Sequence, residues 1–191
     1  MTEPEPVWPE VYVQPGESHL VRGPVVLRTL LGSCVGVTFW HKRLGIAALC
    51  HPMLPSHPGE TRGKIHLAAA RRYVDFAIRD LAAQFDALGA KRAEIEVKVF
   101  GGADVLWVEE CASRPTVGRL NRERALAILG AEGFTVAASR LGGPCGIHID
   151  FYTATGEVRL RTLVSARGTK AGSAQGPQEG AEVWNGPESE C

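Results

Sequence analysis

The chain has 191 residues, of which 45% are hydrophobic and 22% are charged, a composition typical of one globular domain with a substantial core. Lysine plus arginine and aspartate plus glutamate both number 21, so there is no net basic field to attract nucleic acid, and we expect no nucleic-acid partner. The longest apolar runs are too short to span a bilayer, which argues against membrane insertion.

Cysteine usage and the first residues predict the compartment. The five cysteines are an odd number in no evident disulfide framework, which is typical of reduced thiols. The residues after Met1 do not show the basic and apolar pattern of a signal segment. We therefore expect a cytoplasmic protein.

The pattern of residue types divides the chain into three parts. Residues 1–10 combine prolines with acidic residues and predict a loose leader, because proline cannot join a regular hydrogen-bond ladder. Residues 11–164 carry the patterns of regular structure. Residues 165–191 contain few apolar anchors and predict a disordered tail, in which Trp184 is the one residue able to dock.

Two periodicities predict the secondary structure of the central part. Alternating or continuous apolar stretches typical of β-strands cover 11–13, 25–31, 35–40, 44–50, 94–100, 134–139, 147–152 and 158–163. Apolar residues spaced by three and four predict a helix over 66–88, and a shorter helix is predicted over 122–129 with Asn121 as its N-cap. Strands outnumber helices without regular alternation, which predicts a single α+β domain with helices packed on a layered β-sheet sandwich.

A cysteine lies where one apolar strand breaks and the next begins, at Gly32-Ser33-Cys34. A cysteine at such a break is a candidate nucleophile, although a cysteine in an apolar strand is also a common core residue. A hairpin loop of about four residues would place Cys34 opposite His51, whereas a loop one residue shorter would place it opposite Cys50. In the first register the imidazole lies within reach of the thiol and can take its proton.

Five motifs in order along the chain resemble the chemoreceptor glutamine deamidase family, CheD. They are Leu30-Leu31-Gly32-Ser33-Cys34-Val35-Gly36-Val37, His51 followed by Met53-Leu54-Pro55, Lys98-Val99-Phe100-Gly101-Gly102-Ala103, Val117-Gly118 with Asn121, and Gly142-Gly143. The Gly-Ser-Cys element with its histidine is the most specific of them. The resemblance implies a layered sandwich and a hydrolase that converts glutamine to glutamate on methyl-accepting chemotaxis receptors. We expect no cofactor and no metal.

The resemblance also implies a mechanism. Cys34 would attack the glutamine carbonyl and form a thioester, and His51 would protonate the departing ammonia and then activate water. Backbone N–H groups of the Gly32-Ser33 turn would hold the oxyanion. A glutamyl methyl ester would react by the same route, with methanol as the leaving group.

At the third catalytic position the sequence departs from the family motif. The family uses a threonine six residues before the cysteine, but Arg28 occupies that position here and Thr29 stands five before Cys34. Successive strand residues face opposite sides of a sheet, so Thr29 would serve only if the strand bulges or the family spacing is looser. We keep Thr29 as the third catalytic candidate. The alternative is a strand residue without a chemical role.

Other functions stay open beside deamidation. The resemblance implies a CheC-type response-regulator phosphatase as a second partner, and a chain that has lost its third catalytic residue would be a non-catalytic module that binds receptors or that phosphatase. A metal site is the other alternative, but its candidate ligands lack the spacing of a structural zinc site. Those ligands are Cys50, His51, His57 and His66.

Two further segments, Gly101-Gly102 and residues 56–64, are candidates for a place in the site. Gly101-Gly102 follows a strand and is more typical of a tight turn than of an anion-binding loop, since no Lys-Ser/Thr pair follows it. Residues 56–64 are polar and predict a loop close to the site, in a position to act as a lid.

Overall fold

The computed structural model describes residues 7–56, 66–104 and 115–163, together with the backbone of residues 182–184. The strands are β1 (Glu10–Tyr12), β2 (Ser18–Arg22), β3 (Val26–Leu31), β4 (Val35–His41), β5 (Ile46–Cys50), β6 (Glu96–Gly101), β7 (Val136–Leu141), β8 (Ile147–Tyr152), β9 (Glu157–Thr162) and β10 (Glu182–Trp184). The helices are α1 (Leu67–Ala70), α2 (Val74–Ala87) and α3 (Val117–Ala131), and Arg92–Glu94 form a short 3-10 turn.

The strands form two five-stranded sheets. The first sheet has the order β1-β3-β8-β9-β10 and the second has the order β2-β5-β4-β6-β7. Because β3 and β4 are consecutive but lie in different sheets, the chain crosses from one sheet to the other through the turn at residues 32–34. The α+β sandwich with packed helices confirms the fold class expected from the sequence.

Two apolar layers hold the fold together. One lies between the sheets and includes Leu27, Leu31 and Leu49. The other lies between the second sheet and the helices and includes Val37 and Phe39 of β4. Strands β4 and β5 contribute to both layers, which explains why their sequences are almost continuously apolar.

Two elements between residues 18 and 74 differ from the sequence prediction. Strand β2 was not predicted, and it pairs antiparallel with β5 along half-buried residues. The helix predicted over 66–88 is divided between α1 and α2, because the carbonyl of Arg72 accepts hydrogen bonds from the N–H groups of Met53 and Leu54 at 2.8 and 3.0 Å. The Val74 N–H donates to the Leu54 carbonyl at 2.8 Å. These contacts fix the segment that follows His51.

Helix α3 begins earlier than its sequence indicated. Thr116 is the N-cap, and its hydroxyl accepts a hydrogen bond from the Arg119 N–H at 3.0 Å. The predicted N-cap, Asn121, was wrong, since it lies inside α3 and is fully buried. Its side chain donates hydrogen bonds to the carbonyls of Ser33 and Met53, and such contacts between distant segments cannot be predicted from local sequence.

Both of the predicted terminal segments contain residues that the structure describes. The ring of Trp8 lies edge-on to that of Tyr152, with centroids 5.9 Å apart, and Glu10 begins β1. In the segment predicted as a tail, residues Glu182–Trp184 form β10 and pair antiparallel with β9. The rest of that segment, and residues 1–6 of the predicted leader, lie outside the described residues. Among the helices of the described ranges, none combines the length and apolar character needed to cross a membrane.

Candidate active site

Strand alternation brings Thr29, Cys34 and His51 to the layer between the two sheets. Thr29 lies on β3 between Leu27 and Leu31, which both point into that layer. Because His51 follows β5 two residues after Leu49, it faces the same side as Leu49. Cys34 is the last residue of the turn at residues 32–34, here called the crossover turn, and it packs against the same apolar cluster.

The hairpin register differs from the predicted one by two residues. Val37 is paired with Cys50 and His41 with Ile46, so the ladder continues with Gly36 opposite His51. The turn begins one residue later than expected because His41, interpreted as polar turn, is buried and pairs with Glu94 Oε2 at 3.0 Å. A shift of two residues preserves the face, so Cys34 becomes a diagonal rather than a direct neighbour of His51.

Thr29 fixes the orientation and the tautomer of His51. Its hydroxyl donates to the Val13 carbonyl at 2.7 Å and lies 2.7 Å from His51 Nδ1. A hydroxyl has one proton, and a carbonyl can only accept, so Thr29 Oγ1 must accept a proton that His51 Nδ1 donates. The unprotonated nitrogen is then Nε2, which is buried and has no hydrogen-bond partner among the described residues. A free Nε2 lone pair is the state that a general base requires.

The backbone of His51 is also held in place. Its carbonyl accepts a hydrogen bond from the Gly16 N–H at 2.7 Å, and its N–H donates to the Glu17 carbonyl at 2.9 Å. Gly16 has a φ of +83°, a conformation that a side chain would strain. The turn at residues 14–17 therefore fixes the main chain of His51, while Thr29 fixes its ring.

Burial disfavours the charged forms of both Cys34 and His51. It lowers the pKa of His51 to about 4, since a buried imidazolium loses its hydration. Burial also raises the pKa of the half-buried Cys34 thiol, and the backbone N–H of Cys34 itself offsets only part of that effect. Cys50, the alternative in the predicted hairpin, is fully buried with a pKa of about 12 and is an inert core residue.

All three carbonyls of the crossover turn are bound to the rest of the protein. The Ala103 N–H donates to the Gly32 carbonyl at 2.9 Å, and the Gly102 N–H donates to the Cys34 carbonyl at 2.7 Å. The Asn121 side chain donates to the Ser33 carbonyl at 2.9 Å. In a trans peptide the N–H points away from the carbonyl, so the Ser33 and Cys34 N–H groups point away from these anchors. Neither N–H donates to a backbone carbonyl within the described residues, and the Cys34 N–H interacts with its own thiol.

The diglycine is a tight turn, as the sequence favoured. The N–H groups of Gly102 and Ala103 are used to hold the crossover turn and are not free to bind an anion. A Cβ on Gly101 would lie 2.5 Å from the Cys34 carbonyl oxygen, so only glycine allows this approach. A Cβ on Gly118 would lie 2.3 Å from the Ala103 oxygen, which brings α3 against the same turn.

The sequence of this chain is similar to those of several known proteins. A sequence model of the family described as "CheD chemotactic sensory transduction" matches residues 53–162. A protein of Geobacter sulfurreducens named "Probable chemoreceptor glutamine deamidase CheD 2" is 42% identical over 163 residues, which are 85% of this chain and 96% of that protein. The chain belongs to the CheD family.

Two further CheD relatives extend the comparison. Proteins named "Probable chemoreceptor glutamine deamidase CheD" from Rhodospirillum rubrum and Halorhodospira halophila are 38% and 34% identical to this chain. The alignments cover 83% and 81% of this chain, and 85% and 70% of the respective relatives. The family model begins after His51 and so does not include the proposed catalytic residues. The alignment with the Geobacter sulfurreducens protein covers 85% of the 191 residues, and any segment of that length contains both Cys34 and His51.

The position of Thr29 five residues before Cys34, where the CheD motif has six, has a structural explanation. Arg28 faces the outer surface of the first sheet, where its Nε lies 2.9 Å from Asp150 Oδ1 and its Nη1 lies 2.6 Å from Glu10 Oε2. The next residue, Thr29, faces inward without a bulge in the ladder between β3 and β8. The five-residue spacing therefore brings the Thr29 hydroxyl to His51.

The metal alternative finds no support in the described residues. Cys50 belongs to the layer beneath the helices, and His51, the next residue, faces the other layer. His57 lies outside the described residues, as do residues 57–64 of the predicted lid. Within the ranges that the structure covers, no cluster of at least three His, Cys, Asp or Glu residues could hold a metal ion.

Proposed function

We propose that this CheD-family protein deamidates glutamine side chains of chemoreceptors, with Cys34 as the nucleophile, His51 as the acid and base, and Thr29 as the residue that orients His51. The observation that carries the proposal is the buried hydrogen bond between Thr29 and His51 Nδ1, which leaves Nε2 free on the side of the sandwich where Cys34 lies. The same bond argues against the non-catalytic alternative, because that alternative depended on the loss of the third residue at Arg28.

The first half of the reaction forms a thioester. His51 Nε2 takes the proton of Cys34 Sγ as the sulfur bonds to the side-chain carbonyl carbon of glutamine. The negative charge moves to the carbonyl oxygen, where the N–H groups of Ser33 and Cys34 are oriented to donate; Gly32 allows the turn. When the carbon–nitrogen bond breaks, protonated His51 gives its proton to the leaving nitrogen and ammonia departs.

The second half returns the enzyme to its starting state. Neutral His51 removes a proton from water, which attacks the thioester carbonyl and displaces the Cys34 thiolate. The thiolate recovers the proton from His51, and the product is glutamate. A glutamyl methyl ester enters the same sequence, with the proton of His51 passing to methanol.

The substrate and partner assignments complete the proposal. The substrate glutamines lie on the cytoplasmic helices of methyl-accepting chemoreceptors, which requires a cytoplasmic enzyme. A CheC-type response-regulator phosphatase is the second partner that we propose. Neither the reaction nor these partners requires a cofactor, a nucleic acid or insertion into a membrane.

Mass spectrometry of a receptor cytoplasmic fragment incubated with the protein tests this function. We expect conversion of glutamine to glutamate by the wild type and none by Cys34→Ala, because that variant loses only a small half-buried side chain and should fold normally. Cys145→Ala is the matched control, since Cys145 is also half-buried and is expected to keep full activity. Wild-type conversion rates in folded Cys34→Ala would refute the nucleophile.

A further inference from the structure

A buried asparagine connects the two segments that carry the proposed nucleophile and base. Asn121 is fully buried in the second turn of α3. Its side-chain nitrogen lies 2.9 Å from the Ser33 carbonyl oxygen and 2.9 Å from the Met53 carbonyl oxygen. Ser33 directly precedes Cys34, and Met53 follows His51 by two residues.

The two carbonyls determine how the asparagine amide is oriented. Carbonyl oxygens only accept hydrogen bonds, so both contacts require the NH2 group, and a flipped amide would direct its oxygen at two other oxygens. Both amide protons are therefore used in joining the two segments. The amide oxygen is buried and has no hydrogen-bond partner within the described ranges. A leucine would fill a similar volume without that unpaired oxygen, but it would leave the Ser33 and Met53 carbonyls without these donors and the two segments unjoined.

We propose that Asn121 is a positioning residue that holds the Cys34 turn and the His51 segment at a fixed separation and orients the Cys34 N–H toward the oxyanion. This inference rests on the proposed deamidase function. By binding the Ser33 carbonyl, Asn121 determines the plane of the Ser33–Cys34 peptide, and the Cys34 N–H points in the opposite direction. By binding the Met53 carbonyl, it holds the chain that continues from His51.

The position of α3 allows Asn121 to act in this way. Gly118, one turn earlier, permits contact with the Ala103 carbonyl, and the Ala103 N–H in turn holds the Gly32 carbonyl. Helix α3 is thus in contact with the loop that binds the crossover turn. Asn121 adds the link from this assembly to the His51 segment, while the Val35 N–H, at 3.3 Å from the Pro52 carbonyl, adds only a long hydrogen bond.

Steady-state kinetics on a receptor fragment separate positioning from general destabilisation. Asn121→Ala removes both donors, and Asn121→Leu removes them while keeping the volume. We expect kcat to fall about 100-fold in both variants, as misplacement of reacting groups does, with KM changed less than about threefold. Ile128→Ala is the matched control, because Ile128 is buried two turns further along α3, in the apolar layer between the second sheet and the helices. It should lower the thermal midpoint but leave kcat near the wild-type value.

The alkylation rate of Cys34 by iodoacetamide provides a readout without substrate. We expect it to fall about tenfold in both Asn121 variants, toward the rate of His51→Ala, because His51 takes the thiol proton as the sulfur attacks, and to stay unchanged in Ile128→Ala. Wild-type kcat and alkylation in folded Asn121 variants would overturn the inference, as would failure of both variants to fold. If the wild type deamidates no receptor glutamine, the proposed function fails, and the alkylation rates alone still decide whether Asn121 positions Cys34.

Discussion

Replacing Thr29 by valine tests the orientation of His51 most directly. Valine has nearly the shape of threonine, but it cannot accept the proton of His51 Nδ1 or donate to the Val13 carbonyl, two contacts of 2.7 Å each. Thr29 and His51 are 0% and 1% exposed, so water has little access to the groups that lose their partner. Leaving buried polar groups unpaired costs roughly 2 kcal/mol, which corresponds to a fall of about 4 to 8 °C in the thermal midpoint.

The effect on catalysis should exceed the effect on folding. Without the Thr29 hydroxyl, the His51 ring is free to rotate and to place its proton on Nε2, where it blocks the proton transfer from Cys34. We expect kcat of Thr29→Val to fall by about 100-fold or more, with KM little changed. Thr29→Ser is the matched control, because it keeps the hydroxyl and loses one methyl group worth about 1 kcal/mol.

Calorimetry and the receptor deamidation assay are needed together. If Thr29→Val keeps wild-type kcat, Thr29 does not orient the base. If Thr29→Ser loses as much activity as Thr29→Val, the methyl packing matters rather than the hydroxyl. We expect Thr29→Val and Thr29→Ser to differ much more in kcat than in the free energy of unfolding.

Two further predictions concern acid stability and the C-terminal segment. Folding lowers the pKa of His51 from 6.5 to about 4. The contribution of the neutral His51 to the free energy of unfolding is therefore fully present above pH 6.5 and is lost as the pH falls toward 4, by an amount on the order of 3 kcal/mol. Denaturant titrations at several pH values should show a steeper loss for the wild type than for His51→Gln, and parallel curves would contradict the buried neutral imidazole. Removing residues 165–191 should leave deamidation intact, since β10 pairs with β9 at the edge of the first sheet and two strands, β8 and β9, separate it from β3. Lost activity at unchanged thermal midpoint would instead mean that this segment helps to hold the receptor.

Local patterns predicted the parts of the site that lie within one strand or turn. The break at Gly32-Ser33-Cys34 is visible because an apolar run stops where the chain leaves one sheet for the other. His51 follows from the hairpin, although its register was displaced by His41. A polar residue at a strand end is typical of a turn, whereas His41 pairs with Ile46 in the ladder and its ring contacts Glu94.

Contacts between distant segments explain what the sequence did not predict. Asn121 has the residue type of an N-cap, and its actual contacts lie 88 and 68 residues away along the chain. The helix predicted over 66–88 divides because its backbone binds the segment after His51. Thr29 was uncertain since the motif spacing disagreed, and only the direction of β3 decides that it faces inward.

The neutral state of the Cys34–His51 pair determines when the proton moves. Burial raises the pKa of the Cys34 thiol and lowers the pKa of His51 to about 4, so both shifts favour the neutral thiol and the neutral imidazole over the ion pair. In the mechanism that we propose, proton transfer to His51 therefore accompanies the attack of Cys34 on the carbonyl instead of preceding it, and a correctly oriented Nε2 lone pair is needed at that moment. In that mechanism Thr29 affects the reaction rate as well as the structure of the site.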